Sequence, residues 1–92
     1  MIRSFRHKGL KRLFEDDDPR GVSAEHVEKL RKILAVLDAA PTIAHMTLPS
    51  FRLHRLQGEL AGFWAVTVRA NWRVIFRFDE PDAFDVDLID YH

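Results

Sequence analysis

The stretch from Phe63 to Tyr91 limits the possible folds more than any other part of the chain, because its side chains alternate between apolar and polar with a period of two. Trp64, Val66 and Val68 share a face, as do Trp72, Val74, Phe76 and Phe78, and then Phe84, Val86 and Leu88. If all three apolar rows meet the same covering layer, the first hairpin must pair even residues with even residues, which a two-residue loop cannot do. A three-residue loop, Arg69-Ala70-Asn71, satisfies that parity, and Asn71 is the best non-glycine residue for its left-handed last position. Val68 then faces Trp72, Val66 faces Val74 and Trp64 faces Phe76. The same parity across the turn at residues 79–83 sets Phe78 opposite Phe84, Phe76 opposite Val86 and Val74 opposite Leu88.

The covering layer comes from earlier in the chain. Ile2 to Phe5 can supply a short edge strand, and residues from about His7 to Glu15 read as a first helix with Leu10, Leu13 and Phe14 inward. Asp16 to Gly21 is rich in turn formers; its three contiguous aspartates lack the alternation of a hard-cation loop and read as solvated. Ser23 is a suitable N-cap for a second helix running to about Ala39, with Val27, Leu30, Ile33, Leu34 and Leu37 as its apolar stripe and Pro41 as its stop. Thr42 to Pro49 is a connector with a helical turn around Ile43 to Met46. From Phe51 the period returns to two, with Leu53 inward and His54 on the opposite face, and residues 57–62 form a turn-rich loop. The expected architecture is α+β: two N-terminal helices on one face of a mainly antiparallel sheet of four to five strands, in a single domain over residues 1–92.

Composition narrows the class further. With 47% hydrophobic and 30% charged residues the chain is not of disordered type, and the absence of cysteine removes disulfides and thiol chemistry. No apolar run is long enough to span a bilayer and the start lacks an export signal, so a cytoplasmic protein with no membrane partner is expected. The net charge is zero, yet the charges are sorted: Arg52, Arg55, Arg69, Arg73 and Arg77 are opposed within their interval only by Glu59, and every side-chain charge after Arg77 is acidic.

The face away from the helices collects chemistry. Arg73, Ile75 and Arg77 fall beside Ile89, Asp87 and Asp85, with Tyr91 just beyond Arg73, and His54 rises on the same side. The chain ends Asp90-Tyr91-His92. Arg73, Arg69 and Arg52 suit a phosphate, since guanidinium forks pair with phosphoryl oxygens. His54 and His92 are candidates for general base and general acid, in either assignment; Tyr91 can stack on a base or donate to phosphate, and Asp90 can orient a histidine. These groups suffice for RNA cleavage without metal or cofactor, in which the 2′-hydroxyl attacks the adjacent phosphate. A metal held by His54, Asp90 and His92 lacks a close-spaced ligand pair.

The segments Ile2-Arg3-Ser4-Phe5 with Lys8-Gly9-Leu10, Leu53-His54-Arg55-Leu56-Gln57-Gly58, Thr67-Val68-Arg69-Ala70-Asn71-Trp72-Arg73 and Asp90-Tyr91-His92 together resemble the HigB toxins, within the wider group similar to RelE and ParE. The resemblance spans essentially the whole chain. It implies a ribosome-dependent endoribonuclease of a type II toxin-antitoxin pair that cuts messenger RNA in the small-subunit decoding site. It also implies silencing by a helix-turn-helix antitoxin of the HigA kind, through which the toxin would reach operator DNA indirectly. By position, His54, Arg73, Asp90, Tyr91 and His92 would be catalytic or substrate-orienting. Similar toxins often carry lysine where this chain has Gln57; a neutral amide cannot replace that charge, so Arg55 or Arg52 substitutes or the toxin is weaker. Two other readings use the same scaffold: a gyrase-inhibiting toxin resembling ParE, which would not need His54 or the terminal trio, and an antitoxin-binding co-repressor with decayed catalysis.

Overall fold

A computed structural model describes residues 1–91; His92 lies outside the described residues. Helix α1 spans Lys8–Asp16. His7 begins it by accepting the Leu10 N–H at its Nδ1, 3.1 Å away, and Asp17 ends it in a left-handed conformation (φ 54°). Leu10 and Leu13 are buried beneath it, close to the expected pattern. Two of the three contiguous acids at its end are engaged by arginines: Asp17 by Arg31, and Asp18 by Arg20, whose hydrogen bond lowers the Asp18 carboxyl to about 2.

Helix α2 spans Val27–Ala39 and buries Leu30, Ile33, Leu34 and Leu37 along one stripe. Its start differs from expectation. Ser23 precedes a 3-10 turn at Ala24–His26 and its hydroxyl makes no capping hydrogen bond; the tighter turn carries His26 inward, 3% exposed, to a ring contact with Trp72 at 5.7 Å between centroids. The end agrees: Ala40, which precedes Pro41, is extended (ψ 116°), as a residue before proline prefers.

Another 3-10 turn lies at Ile43–Met46, where the sequence indicated it, and buries Met46. The strand expected from Phe51 is much shorter. Phe51 closes a 3-10 turn over Pro49–Phe51, Arg52 is left-handed (φ 49°), and only β1, His54–Arg55, pairs with the sheet. The proline-initiated turn sinks Phe51 into the core, and the left-handed kink must precede any extended chain.

Strands β2 (Trp64–Arg69), β3 (Trp72–Asp79) and β4 (Asp82–Asp90) complete an antiparallel sheet in the order β1-β2-β3-β4. Trp64 opposes Phe76, Val66 opposes Val74 and Val74 opposes Leu88, as the parity argument requires. The device that delivers the parity is different. Arg69, not Val68, opposes Trp72; the register shifts between Thr67 and Arg69, and the left-handed residue is Ala70 (φ 50°) rather than Asn71. A bulge supplies the extra residue that a longer loop was expected to supply. The second hairpin repeats the correction: Phe78 opposes Ala83 and Arg77 opposes Phe84, with a register shift beside left-handed Asp85 (φ 54°). Ala83 therefore enters the main core, and Phe84 joins the row of Arg77 on the other face.

Residues 2–5 form the expected edge element as two isolated parallel bridges, Ile2 to Ala83 and Phe5 to Val86. The Ser4 hydroxyl also accepts the Asp85 N–H at 2.8 Å, so the bulge is held from outside the sheet. The face away from the helices is less open than the sequence suggested. Leu56, Phe63, Ala65 and Ile75 form a second small core there, joined in part by Leu60 from the 3-10 turn Gly58–Leu60. Among the described residues no helix is long and apolar enough to cross a membrane.

Gly9 and Gly21 fix how α1 meets the turn that follows it. A Cβ on Gly9 would collide with the Gly21 carbonyl, and a Cβ on Gly21 would stand 2.5 Å from the Gly9 Cα. Gly9→Ala is expected to lower unfolding free energy by about 1–3 kcal/mol despite alanine's helix preference, as read from urea denaturation; unchanged stability would show that the two backbones need not touch.

Candidate active site

Register decides what stands together on the sheet face away from the helices. His54 opposes Ala65, Ala65 opposes Ile75 and Ile75 opposes Asp87, which makes one row across all four strands. The next row holds Thr67, Arg73 and Ile89. The two rows are two residues apart along the strands, about 6–7 Å. His54 and Arg73 thus share a face at neighbouring levels.

His54 is exposed, and its Nδ1 lies 2.9 Å from the Arg52 carbonyl oxygen. A carbonyl only accepts, so Nδ1 carries the hydrogen and the neutral ring presents the lone pair of Nε2 to solvent. The left-handed turn at Arg52 is what aims that carbonyl back at the ring. Arg73 is half-buried. Its Nη1 donates to the carbonyls of Ala70 at 2.6 Å and Trp72 at 3.1 Å, while Nε is buried with no hydrogen-bond partner among the described residues. The hairpin carbonyls therefore hold the guanidinium by one corner and leave Nη2 for an incoming anion.

The terminal residues divide between the faces. The Tyr91 N–H donates to the Asn71 carbonyl at 2.8 Å, continuing the ladder one residue past β4. Alternation from Ile89 puts Tyr91 on the side of Arg73, and Tyr91 is 42% exposed. Asp90 opposes Trp72, whose ring meets His26 on the helix side, so its row is not the row of His54 and Arg73. His92, expected to complete the trio, lies outside the described residues.

The expected phosphate ligands also separate. Arg52 is exposed beside His54 and contributes its carbonyl to it. Arg55 belongs to the opposite row, opposing Trp64 with its guanidinium carbon 4.9 Å from the indole centroid. Arg69 pairs with Glu25 at 3.2 Å on the helix side, and Glu25 also approaches His26 Nε2 at 3.5 Å. Gln57 is exposed at the N-terminus of the 3-10 turn that roofs the small core.

Two arginines outside the expected set approach the same wall. Arg6 and Arg77 both place their guanidinium carbons near the Phe63 ring, at 5.1 and 4.4 Å from its centroid. The sequence placed Arg77 beside Asp85, and the two do pair at 3.5 Å. It gave no sign of Phe63, because that meeting depends on how residues 56–63 fold over the sheet.

The hydrogen-bond pattern at His54 gives an expected outcome. At alkaline pH, nitrogen NMR of labelled protein should find the His54 ring with a proton on Nδ1 and none on Nε2; the reverse tautomer would remove the basis for treating Nε2 as a base.

A family model described as the RelE-like toxin of type II toxin-antitoxin system HigB matches residues 3–92. The chain is 44% identical to a Proteus vulgaris protein named Endoribonuclease HigB over 92 residues, covering 100% of both chains. It is 30% identical to Toxin HigB-1 of Vibrio cholerae over 90 residues, covering 96% of this chain and 95% of the relative. Crystal structures of YafQ from Escherichia coli share the fold. A mutant form gives a TM-score of 0.54 at 18% identity, and the protein from strain BL21(DE3) gives 0.51 at 17%; each match covers 95% of this chain and 87% of the other. The chain belongs to the HigB-like family of RelE-like toxins of type II toxin-antitoxin systems, whose members are paired with an antitoxin.

Proposed function

We propose that this toxin is an endoribonuclease that cuts messenger RNA in the decoding site of the small ribosomal subunit and so stops translation in the cytoplasm. The observation that carries the reading is the His54 ring, fixed through Nδ1 to the Arg52 carbonyl at 2.9 Å, on the face that also bears Arg73. Nε2 of His54 takes the proton of the 2′-hydroxyl, the resulting oxygen attacks the adjacent phosphorus, and the bond to the 5′-oxygen breaks, leaving a 2′,3′-cyclic phosphate. Arg73 stabilises the negative charge that gathers on the phosphoryl oxygens. Its unpartnered Nε favours a shift of the guanidinium once an anion arrives, because a buried donor without an acceptor is costly. His92 supplies the proton to the leaving 5′-oxygen, Tyr91 donates to a phosphoryl oxygen or stacks on a base, and Asp90 acts as the carboxylate that orients the histidine. RNA is required because DNA has no internal nucleophile. The zero net charge suits an enzyme whose substrate is presented by the ribosome rather than captured from solution. Its partner is a helix-turn-helix antitoxin of the HigA kind, which also carries the pair to operator DNA.

Single-turnover cleavage of messenger on programmed ribosomes tests the assignment. His54→Ala should slow cleavage by about 10²–10⁴-fold and Arg73→Ala by about 10²–10³-fold, with binding to ribosomes retained. Rates within about threefold of the parent for both variants would sink the ribonuclease reading, and gyrase arrest in place of cleavage would replace it.

Gln57 offers a gain-of-function check. It is exposed, three residues beyond His54 in the chain, and brings no charge. Gln57→Lys should strengthen growth arrest at a given level of induction by adding a phosphate contact; an unchanged dose response would show that position 57 does not limit potency.

A further inference from the structure

We infer that Arg6 and Arg77, gathered on the ring of Phe63, form a second seat for the RNA phosphodiester backbone, on the same sheet face as His54 and Arg73. The inference rests on the ribonuclease reading for its substrate class.

Phe63 is 2% exposed and packs with Leu56, Ala65 and Ile75, so its ring is a fixed platform. Arg77 reaches it from β3 with its guanidinium carbon 4.4 Å from the centroid, and Arg6 reaches it from the N-terminal arm at 5.1 Å. The base of each arginine is held. Arg77 lies within the β3–β4 ladder, and the Arg6 N–H donates to the Val86 carbonyl at 2.8 Å. Gly62 has φ +94°, and a Cβ there would stand 2.9 Å from Arg77 Nη1, so glycine keeps that flank of the guanidinium clear.

Charge decides what the cluster would take. Two guanidinium groups around one ring repel each other, and a π face attracts a cation without neutralising it. Asp85 is the only carboxylate among the described residues within ion-pair distance of either, 3.5 Å from Arg77 Nε, and the side chains of Arg77 and Asp85 remain well exposed at 47% and 37%. Arg6 has no carboxylate partner among the described residues. Asp87 stands on the same face one row away, beside Ile75, but outside ion-pair distance, so among the described residues the Arg6 guanidinium keeps its charge without a carboxylate on a rigid support. Guanidinium forks on such supports match phosphoryl oxygens. The Phe63 and Arg77 level lies four residues along the strands from the Thr67 and Arg73 level, about 13 Å, within reach of one RNA strand lying along the face. Contacts of this kind would set the strand's register without reading its bases.

The phosphates can belong to the messenger or to ribosomal RNA beside it. Binding of the parent, Arg6→Ala, Arg77→Ala and the charge-keeping Arg77→Lys should be measured over a salt series. One arm uses a short RNA with 2′-O-methyl groups, which cannot be cleaved, and the other uses ribosomes without messenger. Each alanine variant should bind about tenfold more weakly and lower the salt slope by about one contact, while Arg77→Lys keeps the slope. A loss confined to the free RNA assigns the seat to messenger; a loss on empty ribosomes assigns it to ribosomal RNA. Unchanged affinity and slope in both arms, with thermal unfolding showing Arg6→Ala folded, would overturn the inference. Cleavage by the parent is scored separately: a parent that binds RNA through these arginines but cuts no messenger defeats the ribonuclease reading and leaves the seat standing.

Discussion

Two bulges, one at Val68 and one beside Asp85, decide which side chains meet on each face of the sheet, and the rest of the molecule follows from them. A strand that gains one residue reverses the orientation of everything beyond the insertion. The first bulge lets a short turn close the β2–β3 hairpin while Val66, Val68 and Val74 all reach the helix-side core. The second sends Ala83 into that core and leaves Asp85 beside Arg77 on the opposite face. Without them, the rows that bring His54 level with Ile75, and Arg73 with Ile89, would not coexist with a continuous core.

The two faces divide the work between stability and chemistry, but not cleanly. The helix side holds the large core beneath α1 and α2. The other side has its own small core of Leu56, Phe63, Ala65 and Ile75. Burial there removes several apolar side chains from water, each worth roughly 1.5–3 kcal/mol when fully buried. It also limits the reactive wall to the margin that this core leaves uncovered. His54 at one edge and Arg73 near the hairpin border that margin, and their backbone anchors, the carbonyls of Arg52, Ala70 and Trp72, keep them from collapsing onto the apolar patch. Polar groups with fixed partners lose little freedom when a substrate arrives.

Much of this was legible in the residues. Period-two alternation fixed the even-to-even pairing of β2 with β3 and of Val74 with Leu88, and helical spacing fixed the stripe of α2, because both signals depend only on which side chains are buried. Local backbone geometry was not legible. The left-handed residue proved to be Ala70 instead of Asn71, since alanine has no intrinsic preference for that region and is held there by the bulge. The strand expected from Phe51 shrank to His54–Arg55 because Pro49 and the burial of Phe51 override its alternation. At the site, the shared face of His54 and Arg73 follows from parity. Arg55 on the helix side follows from the same alternation as Leu53, whereas Arg69 joins it only because the bulge at Val68 turns it toward Glu25, which spacing along the chain does not reveal.

The N-terminal arm adds a kinetic consequence. Its bridges to Ala83 and Val86, and the Ser4 contact across 81 residues, join the first segment to the last strand. Contacts so distant in sequence raise the contact order of the fold, and their loop-closure entropy is repaid only when the last strand is in place. A nascent chain interrupted before β4 would have neither a partner for β3 on that side nor a place for the arm. Truncated translation products would thus remain unfolded and inert, and the reactive wall would assemble only as the ring of contacts between the two ends shuts.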